Sequence, residues 1–195
     1  MDAWQGDTVV AMRVHPVPML FLSGPPGVGK TTVAWEIFGQ LVDSGNSPAF
    51  VDLDLLGACW PVPDDDPHNE RMKARNLGAM WQNYRAAGAR CVLAAGVIES
   101  RDGLALYADA VPNAVPVLCR LYAGRQELAD RIVRRGRERG ADLDKLTRRA
   151  AQLSAQLERD DIADFRVDTD GRGVPEVARE VVKEWLRLTG DVDGS

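Results

Sequence analysis

An α/β fold, with a mostly parallel sheet covered by helices on both faces, is what this 195-residue sequence predicts. Three observations carry that expectation. Short apolar runs of strand length alternate with longer stretches of helical period along the whole chain. The stretch Ser23-Gly24-Pro25-Pro26-Gly27-Val28-Gly29-Lys30-Thr31-Thr32 reads G-x-x-x-x-G-K-T and lies between a strand-like run and a helix-like one. Asp52 and Asp54, the segment Gly96–Arg101 and the turn after Asp168 all follow apolar runs, so a parallel sheet gathers them on the rim where its ligands bind.

Taken in order, residues 1–16 form an extension with little pattern beyond Val9-Val10, which suit at most a short edge strand. A single domain follows over 17–189, and 190–195 read as a frayed tail. Its first strand covers about 17–22; the helix after the glycine-rich loop carries Val33, Ile37, Leu41 and Val42 and stops near Gly45-Asn46. Ala49-Phe50-Val51 predicts a second strand, with Asp52 and Asp54 alternating at its end. Pro61, Pro63 and Pro67 then exclude regular structure, and a helix spans 69–87 with Met72, Leu77, Met80, Trp81 and Tyr84 on or near its apolar stripe. Cys91–Ala95 predicts a third strand, Leu104–Ala108 a short helix, and Val115–Tyr122 a fourth strand. Two helices are expected over Gln126–Arg139 and Leu143–Arg159 with Gly140 between them, then a strand at Phe165–Asp168 and a last helix from Pro175 to about Leu188.

Composition narrows the class. Hydrophobic residues make up 45% and charged ones 27%, as in ordinary globular chains. A net charge of -5 argues against a general nucleic-acid binder. No apolar stretch approaches the ~20 residues that cross a bilayer, and the acidic start (Asp2, Asp7) does not read as a secretion signal. The three cysteines, Cys59, Cys91 and Cys119, form no C-x-x-C pair; reduced thiols and a cytoplasmic setting are expected.

The glycine-rich loop has a physical rationale. A strand delivers the chain, Gly24, Gly27 and Gly29 let the backbone of Pro26, Val28 and their neighbours wrap an anion, and a helix opens at Lys30-Thr31-Thr32 with its free N–H groups toward the phosphates. Lys30 reaches the outer phosphates, and the Thr31 hydroxyl ligates the Mg2+ that accompanies them. The alternative, a turn that binds nothing, does not explain the strand–loop–helix context. Of the two aspartates, one suits the metal side and the other the proton of a substrate hydroxyl; two solvated loop carboxylates are the plainer alternative. Arg131, Arg134, Arg135, Arg137 and Arg139 crowd beside a glycine hinge, which suits a lid over about 134–145. Glu127, Asp130 and Glu138 are close enough to pair with several of them.

The run G-P-P-G-V-G-K-T-T, the Asp-x-Asp strand end, the arginine-rich segment and Val167-Asp168-Thr169-Asp170-Gly171-Arg172 resemble the small P-loop kinases, a group with shikimate, gluconate and adenylyl-sulfate kinases and chloramphenicol phosphotransferases. The resemblance implies a three-layer P-loop NTPase fold, with five parallel strands in the order 2-3-1-4-5 and a small helical lid. It also implies transfer of the ATP γ-phosphoryl group to a small hydroxyl compound. By position, Asp54 would be base or acceptor anchor and Asp52 the magnesium-side carboxylate; Arg131 and Arg172 would flank adenine, with Arg135 or Arg137 as lid arginine. Where shikimate kinases have three glycines after the third strand, this chain has Gly96-Val97-Ile98-Glu99, and no Arg-x-Pro-x-Tyr precedes the fifth strand. The resemblance therefore stops short of shikimate as acceptor.

The acceptor pocket is expected from 55–85 and 96–101, with Asp54, Trp60, Arg71, Arg75, Glu99 and Arg101 as candidate contacts. A nucleoside or nucleotide kinase is the near alternative, and a regulatory ATPase without a small acceptor the distant one. Against the latter, there is no N-K-x-D segment and no acidic pair closing the third strand. The expected partner is a small molecule, with no nucleic acid or membrane, and the chain a monomer or homodimer.

Overall fold

The computed structural model describes residues 15–190, so Val9-Val10 and most of the N-terminal extension lie outside the described residues, as does the tail from 191. Five strands form one parallel sheet: β1 (Val17–Ser23), β2 (Pro48–Asp52), β3 (Cys91–Ala95), β4 (Ala114–Tyr122) and β5 (Phe165–Asp168). Their order is β2-β3-β1-β4-β5, which is the order implied by the resemblance.

Alternation along these strands sends side chains to two separate cores. On one face Leu20, Leu22, Leu93, Cys119, Leu121 and Val167 meet α1 (Lys30–Asp43) and α7 (Val174–Gly190), which contribute Val33, Ile37, Val181 and Trp185. On the other, Met19, Phe21, Val51, Val92, Ala94 and Leu118 meet α3 (Glu70–Ala86) and α4 (Arg101–Asp109) through Leu77, Trp81, Leu104 and Tyr107. β1 and β3 are buried nearly throughout, as central parallel strands covered on both sides must be.

Three elements differ from expectation. Asp54 is not in line with β2, because the strand ends at Asp52 and Leu53–Leu56 turn as the one-turn helix α2. The Asp52 carboxylate causes this: Oδ1 accepts from the Asp54 N–H at 3.1 Å and caps the turn. The helix expected to reach Arg139 stops as α5 (Arg125–Arg135), because Gly136 takes a left-handed φ of 64° as its cap. Residues 136–139 therefore join α5 to α6 (Ala141–Arg159) without regular structure. Finally, α4 begins at Arg101, where Ser100 Oγ accepts from the Gly103 N–H.

Candidate active site

The loop between β1 and α1 has the form an anion requires. Gly27 sits at φ 85°, and a Cβ there would lie 2.8 Å from the Leu128 carbonyl of α5. Gly29 (φ 99°) precedes α1 without a capping side chain, and the first turn of α1 has no acidic residue. Its opening N–H groups are thus left to an anion, at the positive end of the helix dipole. Lys30 lies across the loop, Nζ donating to the carbonyls of Gly24 (2.9 Å) and Pro25 (3.3 Å). Gly27→Ala is expected to destabilise the fold by about 1–3 kcal/mol through strain and contact with α5. Gly39→Ala, in α1 with open space at its Cβ, is expected to raise stability by about 0.5–1 kcal/mol. Thermal melts of both variants check the opposite signs.

Beside the loop, the Thr31 hydroxyl donates to Asp52 Oδ2 at 2.9 Å. Asp54 is exposed one turn further on. Burial lowers the pKa of the Lys30 ammonium; Asp54 and Asp52 oppose that shift and Arg135 adds to it, leaving it below the usual lysine value.

Arg135 donates to Glu138 at 2.8 Å, while Arg137 is exposed and forms no ion pair among the described residues. Arg131 ties α5 to two other parts of the rim, donating to Glu127 (2.7 Å), to Thr169 Oγ1 (2.9 Å) and carbonyl (2.7 Å), and to the Val28 carbonyl (3.4 Å). Arg172 is held in its plane by Glu176, Glu180 and the Asp168 carbonyl. Thr32 is exposed on the first turn of α1.

The candidate acceptor residues do not converge on one point. Trp60 is 87% exposed. Arg71 pairs with Asp65 at 2.6 Å, and with Arg75 it lines a cavity of about 790 Å³ between α3, α4 and the proline-rich loop. Glu99 is clasped by Arg149 and Gln156 of α6, each at 2.9 Å, and Arg101 lies 4.0 Å from Asp164.

Sequence reasoning missed three polar groups. Ser23 Oγ accepts from the Ile98 N–H at 2.9 Å, fixing the turn after β3 against the start of the phosphate loop. Buried Tyr107 donates to Glu70 at 2.5 Å; burial first, then Glu70, pushes its phenol pKa far up, with Asp54 and Asp66 adding to the shift. Buried Arg120 on β4 donates to the Leu157 carbonyl and pairs with Asp161 at 3.6 Å, anchoring the end of α6. The Tyr107 and Arg120 hydrogen-bond partners Glu70 and Leu157 are each 37 residues away, beyond any local pattern.

The cysteines allow a simple check. Cys59 is exposed, whereas burial pushes Cys91 to about 11 and Cys119 well above its usual value. One thiol is expected to react with a maleimide near neutral pH under native conditions, and three in denaturant, as mass spectrometry would count.

Comparison with known proteins bears on the fold. No protein-family model matches the chain. A cytosolic Fe-S cluster assembly factor NUBP2 homolog of Trichoplax adhaerens is 33% identical over 86 residues, 35% of this chain. The chain spans only 32% of that relative's length. Among solved structures, the tunicamycin resistance protein of Deinococcus radiodurans superposes with a TM-score of 0.62 at 19% identity, covering 86% of this chain and 95% of that one. A gluconokinase from Sinorhizobium meliloti gives 0.57 at 20% identity, covering 91% and 95%. The Mycobacterium tuberculosis APS kinase, in complex with AMPPNP and APS, gives 0.57 at 20%, covering 88% and 98%. At these identities the likeness is one of fold. The chain has the five-stranded parallel fold of the small P-loop kinases. No helix among the described residues is long and apolar enough to cross a membrane.

Proposed function

We propose that this protein transfers the γ-phosphoryl group of ATP, taken as its magnesium complex, to a hydroxyl group of a small molecule. The observation that carries the reading is the glycine loop spanned by Lys30, whose Nζ donates to the Gly24 carbonyl, with the Thr31 hydroxyl donating to Asp52 at 2.9 Å beside it.

The residues present fit both groups. An unobstructed helix N-terminus and glycines that no side chain can replace suit a polyphosphate. No cluster of three or more His, Cys, Asp or Glu that could hold a metal occurs among the described residues. A lone Thr31–Asp52 oxygen pair suits an ion that keeps several waters and binds through substrate phosphates, as magnesium does. Bound there, Mg2+ would offset charge on the phosphoryl oxygens.

The chain's own residues do the remainder. The loop backbone of Gly24–Thr32 orients the donor, and Lys30 balances its outer charge. Thr31, with Asp52 behind it, sits on the metal side. Arg131 and Arg172 border the base, Arg131 also fixing α5 to the loop. Arg135 or Arg137 follows the charge of the transferring group when residues 134–145 close. Asp54 takes the acceptor proton as the acceptor oxygen bonds to phosphorus. The bridging oxygen then departs with the bonding electrons, as ADP.

ADP release tests this. Alone with Mg-ATP the protein should release ADP slowly, because a kinase site closes and completes its catalytic arrangement only when the acceptor is bound. A panel of hydroxyl compounds and nucleosides should contain members that stimulate it. Full-rate release that no compound changes would instead mark an ATPase. A magnesium chelator should abolish release in either case.

A further inference from the structure

The turn after β3 is fastened to the start of the phosphate loop. The Gly96 N–H donates to the Leu22 carbonyl at 3.1 Å, and the Ile98 N–H to Ser23 Oγ at 2.9 Å. Ser23 and Ile98 are both buried, so breaking the second bond would strand a donor and an acceptor away from water. Gly96 leaves the turn no slack, since a Cβ there would lie 2.8 Å from the Leu53 Cβ of α2. Glu99, the next residue, therefore stands at the surface on a fixed base.

Both carboxylate oxygens of Glu99 are taken by α6. Oε1 accepts from Arg149 and Oε2 from Gln156, each at 2.9 Å. The two donors lie about two turns apart on one helix face, so a single side chain aligns α6 rather than touching it at one point. This grip falls where α6 changes character. Residues 141–148 include no buried side chain, and the buried ones, Ala150, Leu153 and Leu157, begin beside Arg149. On the far side, buried Arg120 holds the Leu157 carbonyl. On the near side lie residues 136–139, without regular structure, and the arginines of 134–145. The Arg149 and Glu99 side chains are 49% and 39% exposed, and such a pair adds little stability. Alignment is what it supplies.

Resting on the phosphotransferase reading for the nucleotide and the lid, we propose that Glu99 is a positioning residue that couples the arginine segment 134–145 to the phosphate loop. The path is short and continuous: the loop, Ser23, Ile98, Glu99, then Arg149 and Gln156 on α6. A triphosphate that orders the loop thereby also orders the link between α5 and α6. This role differs from the acceptor contact expected of Glu99, because it acts through α6 and not on a substrate.

Trypsin gives a readout that needs no acceptor, since Arg137 and Arg139 are exposed in the link between α5 and α6. With Mg2+ and a non-hydrolysable ATP analogue, cleavage at this link, followed by mass spectrometry, should slow at least about tenfold in the native protein. Glu99→Ala should lose roughly fivefold of that protection and a similar factor in analogue affinity, while ADP affinity is held. Glu99→Gln, which keeps one acceptor oxygen, should lose less. Adding Arg149→Met to Glu99→Ala should cost nothing more, because the partner is already gone. Four results would each overturn the coupling and leave the kinase reading standing: full protection in Glu99→Ala, a native link that the analogue does not protect, an equal fall in ADP and analogue affinity, or a further loss on adding Arg149→Met. Protection that depends on Glu99, in a protein that transfers γ-label to no hydroxyl compound, would overturn the kinase reading and leave the coupling.

Discussion

Asp54→Asn is expected to lower phosphoryl transfer about 10²–10⁴-fold, the usual contribution of a positioned general base, while ATP still binds. The substitution keeps the shape and removes the proton acceptor. Fold damage is not expected, since Asp54 is exposed and its backbone N–H, not its carboxylate, is what Asp52 engages. The loss should fall on kcat with acceptor, and steady-state kinetics beside an ATP titration separate the two. Unchanged transfer would remove Asp54 from the chemistry and leave Asp52 as the nearest carboxylate.

Lys30→Met is expected to cost at least about 10²–10³-fold in kcat, the scale of one preorganised charge-stabilising donor, and to weaken ATP binding as well. The methionine retains much of the side chain's bulk, so the loss isolates the ammonium, which touches only loop carbonyls in its own protein. A pH consequence follows. Burial favours the neutral amine while Asp54 and Asp52 favour the ammonium. ATP affinity should therefore fall as pH rises through the Lys30 pKa. Asp54→Asn removes one of the groups holding that pKa up, so the fall should move to lower pH. A shift to higher pH, or none, would mean that the Asp54 carboxylate does not act on the Lys30 ammonium.

Much of this was legible in the sequence because it is local. The loop, the strand before it and the helix after it are contiguous, and glycine spacing is a direct statement of backbone need. The unbroken apolar runs Met19–Leu22 and Cys91–Ala95 read as burial on both faces, which is what the two cores show. What escaped was decided by single side chains or by distant partners. Asp52 ends β2 and turns Asp54 onto a helix through one hydrogen bond at 3.1 Å. Gly136, rather than Gly140 alone, stops α5. Glu99, expected at the acceptor, is held by α6 residues at least 50 positions away. The exposure of Leu55 and Trp60 could not be read from an apolar segment at all; sequence shows that such residues are present, not which way they face.

The destination of the γ-phosphoryl group separates a kinase from an ATPase most directly. With γ-labelled ATP and a stimulating acceptor, label should appear mainly in an organic phosphate ester. Its formation should depend on Lys30 and Asp54, with slow release to water without acceptor. Label that goes only to inorganic phosphate, at a rate no hydroxyl compound alters and Asp54→Asn leaves intact, would contradict the kinase reading.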